Sequence, residues 1–213
     1  MFRKKPEPTE FENLIKNAKR IVEIDPRGLQ TYIYAILRPF QSEQIIQVCE
    51  KNDHSGKARI DGDTFFSSNN NFFSYEEKKL SRVANDNAII DLAKDLVLPT
   101  PWHPLSLASC FTSFTNDRNG GPWREDNNHS VELWLPWRIG FVNGGNHSIT
   151  AGILRSEGSL KPSYVFDLSE KIKQVKTDGI NFISVETNKV IFPVKNQRVA
   201  AVWEIGRMML EST

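Results

Sequence analysis

Apolar residues recur every three or four positions through most of the first 98 residues, as they do on the buried side of a helix. Thr9 and Glu12 have the spacing of a capping box, and Ser74 and Glu77 repeat it. The pattern predicts four helices, over residues 10–25, 32–39, 42–52 and 75–97. The polar stretch 54–73 is predicted to be a loop or a weakly ordered hairpin. We therefore expect residues 1–98 to form a mostly helical layer.

Three prolines in the segment from Leu98 to Pro104 interrupt this pattern. A proline removes a helical hydrogen bond and restricts the preceding residue, so an extended path is expected here. Beyond it, short apolar runs predict strands over residues 131–135, 138–142, 163–166, 182–183 and 190–191. Helices are predicted over residues 146–156, 169–176 and 196–210. The predicted fold class is α/β (α+β), with the helical N-terminal layer, 1–98, packed on a small mixed sheet in 99–213 as one compact unit.

The charge balance gives no sign of a polyanionic partner. The chain has 27 basic and 26 acidic residues, a formal net charge of +1, so nucleic-acid binding would depend on a local patch. No run of 18 apolar residues is present, and the basic start of the chain leads into Glu7 and Glu10 rather than into an apolar segment. These features predict a cytoplasmic protein that has no membrane partner. A bacterial host is a separate expectation that these features do not establish.

Cys49 and Cys110 are too few for a disulfide framework. Free cysteine is usually buried, so both are expected to be buried thiols. Ser109 and Thr112 make the surroundings of Cys110 polar, which leaves a catalytic thiol there as the alternative.

Four of the five tryptophans lie between residues 102 and 137. Such density is usual for core and loop packing, and it also suits a base-stacking or small-ligand pocket. The polar insertion 115–128 in the same region is predicted to be a mobile loop, with a lid over a ligand as the alternative.

A strand, a glycine turn and a helix follow one another from Ile139 onward. Ile139–Val142 is apolar, Asn143-Gly144-Gly145 is a turn that needs unusual backbone angles, and a helix begins near residue 146. The first N–H groups of such a helix lack intrahelical partners, and the helix dipole favours an anion there. His147 lies on the first turn, where an imidazole that titrates near neutral pH can bind a ligand or transfer a proton.

The residues around this turn resemble the core motif of the ParB/sulfiredoxin-like superfamily, in which a strand leads into Gly-x-His-Arg-x-x-Ala on a helix and then into another strand. Gly145, His147 and Ala151 match that motif, and the strand Tyr164–Asp167 follows. Ser148 replaces the arginine, which in the family is a phosphate ligand. Members include partition proteins, sulfiredoxin, free-serine kinases and ParB-like nucleases.

The resemblance extends from Arg138 to Asp167, and further if Val97–Phe114 supplies the earlier strand and helix. Asn146 holds the place of sulfiredoxin's thiol. The resemblance implies a nucleotide phosphate held at the glycine turn, with His147 as catalytic residue. The expected ligand-binding residues are Asn143, Gly144, Gly145, Asn146, Ser148, Trp102 and His103. The expected cofactor is a nucleotide, with or without magnesium, and Arg138 or Arg155 would replace the missing arginine.

No metal site is predicted from the histidines. His54, His103, His129 and His147 lack the spacing that makes a metal site recognisable in a sequence. The last three would still be able to converge in space with Asp126 or Glu132.

Three functions follow from these expectations. The leading one is a nucleotide- or phosphate-ester-binding protein of mobile-element or phage-defence biology, with or without hydrolytic or phosphoryl-transferring activity. The alternative is an interaction module, such as an antitoxin, immunity protein or assembly partner, that kept the fold and lost the chemistry. A DNA-binding ParB-like protein or nuclease is the third, and it would need a basic face that the sequence does not display.

Overall fold

The computed structural model describes residues 7–51, 60–67, 72–113 and 120–212. Its helices are α1 (Glu10–Ile24), α2 (Gly28–Lys51), α3 (Gly62–Phe65), α4 (Tyr75–Leu80), α5 (Pro104–Ser113), α6 (Asn146–Arg155), α7 (Ser169–Gln174) and α8 (Gln197–Glu211). Its strands are β1 (Arg82–Val83), β2 (Ile90–Asp91), β3 (Leu96–Leu98), β4 (Ser130–Leu135), β5 (Ile139–Gly144), β6 (Ser159–Leu160), β7 (Tyr164–Asp167), β8 (Val175–Thr177), β9 (Asn181–Ser184) and β10 (Val190–Pro193). The predicted α+β fold class is confirmed.

The first predicted helix is confirmed together with its cap. The Thr9 hydroxyl accepts a hydrogen bond from the Glu12 amide at 3.2 Å, and the Glu12 carboxylate accepts one from the Thr9 amide at 2.7 Å. The next two predicted helices are in fact one helix, α2, with Pro39 inside it. Proline costs a helix about 3 kcal/mol. Buried side chains on both sides of Pro39 offset that cost, each contributing about 1.5–3 kcal/mol; they include Ile33, Ile36, Leu37, Ile45 and Val48.

The long helix predicted over residues 75–97 is wrong beyond Leu80. The chain instead forms the short strands β1, β2 and β3. Asn85 starts a turn after β1, where its side chain donates to the carbonyl of Pro162 at 2.9 Å. Leu96–Leu98 is buried throughout, and it pairs with β5 in parallel. A short apolar run of this kind fits a fully buried strand as well as a helix, and pairing with β5 decides the outcome.

The loop predicted at 54–73 also contains a short helix. α3 begins after Asp61, whose carboxylate accepts from the Thr64 amide at 2.8 Å. Residues 52–59 and 68–71 of that stretch, with His54 and Asn69 to Asn71, lie outside the described residues.

The strands and helices predicted after residue 98 are confirmed near their predicted positions, except that the helix predicted over residues 169–176 ends at Gln174, where β8 follows. α5 begins at Pro104, where a proline is tolerated because its missing N–H would have had no helical partner. β9 and β10 pair antiparallel across a turn in which Asn188 has a φ of 54°. Asn196 caps α8.

Residues 37–168 form one compact unit. Its main sheet has the order β1-β7-β4-β5-β3, with β7 parallel to β4 and β3 parallel to β5. One face packs on α6 through an apolar cluster that includes Val131, Leu133, Val142, Ile149 and Ile153. The opposite face is aromatic. Phe141 contacts Phe65 at a centroid distance of 5.3 Å, and Trp134 contacts Phe73 at 5.1 Å.

The other compact unit consists of residues 1–36 and 169–213. It contains α1, α7, α8 and a three-stranded antiparallel sheet in the order β10-β9-β8. Trp203 is fully buried in it and donates to the carbonyl of Val175 at 2.9 Å. The contacts therefore divide the chain at places other than the predicted boundary at 98/99, and β3, on the N-terminal side of that boundary, belongs to the sheet of residues 37–168. Within the described residues, no helix is long and apolar enough to cross a bilayer.

Candidate functional site at the glycine turn

The turn between β5 and α6 depends on Gly145. Its φ of 75° and ψ of 22° place it in the left-handed region, which side chains disfavour. A Cβ at this position would also overlap the His129 ring. Glycine is thus required here both for the backbone conformation and for the approach of His129.

Gly145 is also the N-cap of α6, and no side chain caps the helix. Its carbonyl accepts the first helical hydrogen bond, from the Ile149 amide at 2.9 Å. The amides of residues 146–148 belong to the first turn, where a helix leaves its N–H groups without intrahelical partners. These groups and the dipole of α6 make the turn attractive to an anion.

Asn146 and His147 connect the glycine turn to the proline segment. The Thr100 amide donates to Oδ1 of Asn146 at 2.6 Å. The His103 amide donates to Nε2 of His147 at 3.1 Å, and the Trp102 amide approaches the same atom at 3.4 Å. These contacts bring Trp102 and His103 beside His147.

The proton position on His147 follows from these hydrogen bonds. Since Nε2 accepts N–H groups, it carries no proton, and the neutral ring is protonated at Nδ1. Burial lowers the pKa of His147 below its usual range, and the nearby charge of His103 lowers it further. His147 is therefore neutral near pH 7, with Nδ1–H as its donor.

His129, on the approach to β4, forms a second connection. Its Nδ1 accepts from the Asp126 amide at 2.9 Å, and its Nε2 lies 2.6 Å from Oγ of Ser148. Nε2 is then the protonated nitrogen and donates to Ser148, whose hydroxyl donates to the Gly145 carbonyl at 3.2 Å. Burial lowers the pKa of His129, although the charges of Asp126 and Glu125 oppose the shift.

These residues have the composition of a Ser-His-Asp triad but not its proton arrangement. A triad needs Nδ1–H directed at the carboxylate and an Nε2 lone pair directed at the serine. Oδ1 of Asp126 does lie 3.3 Å from Nδ1 of His129, but that nitrogen already accepts a backbone amide. The Ser148 hydroxyl therefore accepts a hydrogen bond from His129 and has no base beside it. The network orients the turn and does not activate a nucleophile.

Trp123 holds the preceding loop against α6. Its indole N–H donates to the Ser148 carbonyl at 2.8 Å, and its ring stacks on His129 at a centroid distance of 4.7 Å. A Cβ at Gly158 would collide with the Trp123 ring, so glycine makes room for it. The loop predicted at 115–128 packs against α6 through Trp123 in its described part, 120–128, whereas residues 115–119 lie outside the described residues. Its mobility and its role as a lid stay predictions.

These segments enclose a concave pocket of about 440 Å³. Seven of the eight predicted site residues line it, namely Trp102, Asn143, Gly144, Gly145, Asn146, His147 and Ser148. His103 is not among the lining residues and contacts His147 from behind. Residues outside that predicted set also line it, namely Ser106, Cys110, Trp123, Arg124, Asp126, Asn128 and His129.

The expectation that Arg138 or Arg155 replaces the missing arginine is wrong. Arg138 forms an ion pair with Asp95 at 2.7 Å and donates to the Ile89 carbonyl at 2.6 Å. Arg155 lies in the last turn of α6, at the opposite end from the pocket. Arg124 instead lines the pocket, and it makes no ion pair with the residues that the structure describes.

The cysteines differ from expectation. Cys49 is exposed, and Cys110 is partly buried where it lines the pocket. Burial raises the pKa of the Cys110 thiol, so it is protonated at neutral pH and poorly suited to nucleophilic attack.

No three histidine, cysteine, aspartate or glutamate side chains gather as a metal site would within the described part of the chain. Asp126 does contact His129, as one of the predicted groupings has it. Glu132 lies on the aromatic face of the sheet, beside Trp134.

Comparison with known proteins gives a family and nothing closer. No curated protein matches the chain, and no solved structure matches it. The sequence profile described as "Family of unknown function (DUF6710)" matches residues 1–213. Since that match covers the whole chain, the protein belongs to the DUF6710 family.

Proposed function

We propose that this protein binds a nucleotide or another phosphate ester in the pocket at the glycine turn. The observation that carries the proposal is the uncapped start of α6, which opens into a pocket of about 440 Å³. Three consecutive first-turn amides and the positive end of a helix dipole favour a phosphate oxygen. The volume is within the range of small-molecule sites, about 300–1,000 Å³.

Side chains around the pocket supply the other contacts that a nucleotide needs. Arg124 is a cation without an ion-pair partner among the described residues, and a guanidinium can bind phosphate through two hydrogen bonds. Trp102 is 56% exposed, so its ring is available for base stacking. Nδ1–H of His147 can donate to a phosphate oxygen. The relationship to the ParB/sulfiredoxin-like superfamily, where the same turn holds a nucleotide phosphate, remains part of this proposal.

Phosphoryl transfer or hydrolysis would need a base or nucleophile in the pocket. Nε2 of His147 is engaged by backbone amides, and Ser148 accepts from His129. The catalytic role predicted for His147 therefore reduces to donation of the Nδ1 proton to a leaving oxygen, which remains a prediction.

These same engagements favour the second candidate, an interaction module that kept the turn and lost the chemistry. In that case, the protein would bind a partner protein and gain nothing from a phosphate. A cytoplasmic setting, where Cys49 and Cys110 stay as free thiols, and a role in mobile-element or defence biology belong to the proposal in either case.

Thermal unfolding with a panel of nucleotides tests the choice. A ligand that binds only the folded protein raises the melting temperature by mass action. We expect at least one nucleotide to raise it, with or without magnesium, while the matching nucleoside, which has no phosphate, does not. Equal shifts from nucleoside and nucleotide, or no shift from any nucleotide, would favour the interaction module.

Arg124→Gln supplies the matched variant, because Arg124 is exposed and forms no ion pair with the described residues. It should weaken nucleotide binding by about tenfold, which corresponds to ~1.4 kcal/mol. Arg20→Gln, on the exposed surface of α1, should leave binding unchanged.

A further inference from the structure

A second pocket lies on the aromatic face of the main sheet, near its β1 edge. It has a volume of about 660 Å³ and is larger than the pocket at the glycine turn. α3 and α4 line it together with β1, β4 and β7. The lining side chains alternate charges with rings and include Asp63, Lys78, Lys79, Arg82, Glu132 and Tyr164.

The floor of this pocket carries a net negative charge. Nζ of Lys78 lies 2.7 Å from Oδ2 of Asp63 and 3.2 Å from Oε2 of Glu132. One ammonium group thus pairs with two carboxylates, so the net charge of these three side chains is −1. The Glu132 side chain is only 12% exposed, so solvent screens the charge of its carboxylate weakly.

One carboxylate oxygen in the floor has no hydrogen-bond donor. Oδ1 of Asp63 is buried and has no partner among the described residues, although Oδ2 of the same group binds Lys78. An unpartnered buried acceptor is costly, and native structures usually supply a donor for it. A positive charge placed beside this carboxylate would offset that cost electrostatically, and it would also balance the net charge of the floor.

The walls are suited to an organic cation. Lys78 lies 5.1 Å from the Phe166 ring centroid and 5.6 Å from that of Trp134, so this face of the sheet already stabilises an ammonium through its rings. The guanidinium of Arg82 lies 4.1 Å from the Tyr164 ring centroid. Tyr75 offers a further ring at the mouth and is 78% exposed.

The rim has the opposite charge from the floor. Lys79 and Arg82 are both exposed at the mouth of the pocket. They repel a simple diamine and attract an acidic group on a molecule whose cationic end lies at the floor. The charge pattern therefore selects a molecule with a cation at one end and an acid at the other.

We infer that this pocket binds a small zwitterion, with an ammonium or guanidinium head on Asp63 and Glu132 and an acidic tail on Lys79 and Arg82. The inference is independent of the nucleotide proposal, because the two pockets share no lining residue.

Calorimetric titration with 4-guanidinobutyrate tests the inference, and 4-ureidobutyrate is the control because it has the same shape and tail with a neutral head. The guanidino compound should bind about tenfold more tightly or better. Asp63→Asn should remove that preference, and Asp86→Asn, an exposed carboxylate outside the pocket, should leave it unchanged.

Lys79→Gln provides a second variant on an exposed helix position, where misfolding is not expected. It should weaken binding of 4-guanidinobutyrate and of 4-ureidobutyrate alike, because both carry the acidic tail. Any of three results would overturn the inference. The first is equal affinity of the wild-type protein for the two compounds, and the second is no binding of the guanidino compound at millimolar concentration. The third is that Asp63→Asn and Lys79→Gln both leave binding unchanged.

Discussion

At the residue scale, two histidines hold the glycine turn through hydrogen bonds in which their ring nitrogens have opposite roles. His147 accepts backbone amides through Nε2, whereas His129 accepts one through Nδ1 and donates through Nε2. Each hydrogen-bonding pattern requires a neutral ring, and burial lowers the pKa of both. The turn is therefore assembled at neutral pH by uncharged imidazoles.

The contribution of His103 to the pKa of His147 can be measured. His103→Asn removes a neighbouring charge but keeps an acceptor for the Ser106 amide, which Nδ1 of His103 now binds at 3.1 Å. Because that charge lowers the pKa of His147, the substitution should raise it toward the usual value of about 6.5. NMR titration of the histidine ring protons reports this directly. A pKa of His147 that is unchanged or lower in the variant would show that His103 does not act on it.

Removal of the His147 side chain should cost stability only moderately. His147→Ala leaves the amides of Trp102 and His103 without their acceptor, and an unpaired group costs about 1–3 kcal/mol when buried. Trp102 is exposed, so water replaces part of the loss, and we expect the lower end of that range. Urea unfolding measures it. A loss above about 3 kcal/mol would mark His147 as a core residue and remove it from the ligand site.

At the element scale, the unit made of β5, the glycine turn and α6 was predictable from sequence because its determinants are local. The apolar run, the glycine pair and the following helical pattern lie within 20 residues of one another. The contact of His129 with Ser148 was not predictable, because it spans 19 positions and depends on the loop before β4. Tertiary burial also explains two incorrect predictions. Pro39 was expected to end a helix but lies inside α2, and Leu96–Leu98 was expected to be helical but forms a buried strand.

Two glycines with similar φ angles allow the turn to be tested by a matched pair. Gly145 has a φ of 75° and Gly121 a φ of 71°. Alanine strains the backbone at either position by about 1–2 kcal/mol. At Gly145 the added Cβ would also overlap the His129 ring, whereas at Gly121 no described residue lies within 4 Å of it.

Gly145→Ala should therefore lower the free energy of unfolding by clearly more than Gly121→Ala, with the excess due to displacement of His129. Urea unfolding of both variants, followed by tryptophan fluorescence, compares them. Equal losses would mean that the His129 contact is not part of the folded turn.

At the scale of the whole molecule, the two neutral histidines make stability depend on pH. The unfolded chain binds protons at histidine below about pH 6.5, while the folded protein resists doing so because both pKa values are lowered. The unfolded state then holds more protons in that window, so stability falls as the pH falls. The raised pKa of Glu204 acts in the other direction, since its contribution is lost as the pH rises.

Comparison with the variant His129→Gln/His147→Gln separates these effects. Glutamine can donate and accept but does not titrate, and Glu204 is common to both proteins. Between pH 7.5 and 5.5, the wild-type protein should lose more unfolding free energy than the variant. Parallel losses would show that the histidines are not protonated differently in the folded and unfolded states.

If the first-turn amides of α6 bind phosphate, as proposed, their own signals should report the binding. Titration of ¹⁵N-labelled protein with inorganic pyrophosphate, monitored through backbone amide shifts, tests it without assuming a base. We predict saturable amide shifts that are largest at residues 145–148 and smaller at Trp102 and Arg124. Addition of sulfate-free buffer without pyrophosphate should cause no shift. Saturation without movement of the 145–148 amides, or no saturable shift at all, would contradict the claim and leave the interaction module as the better account of this site.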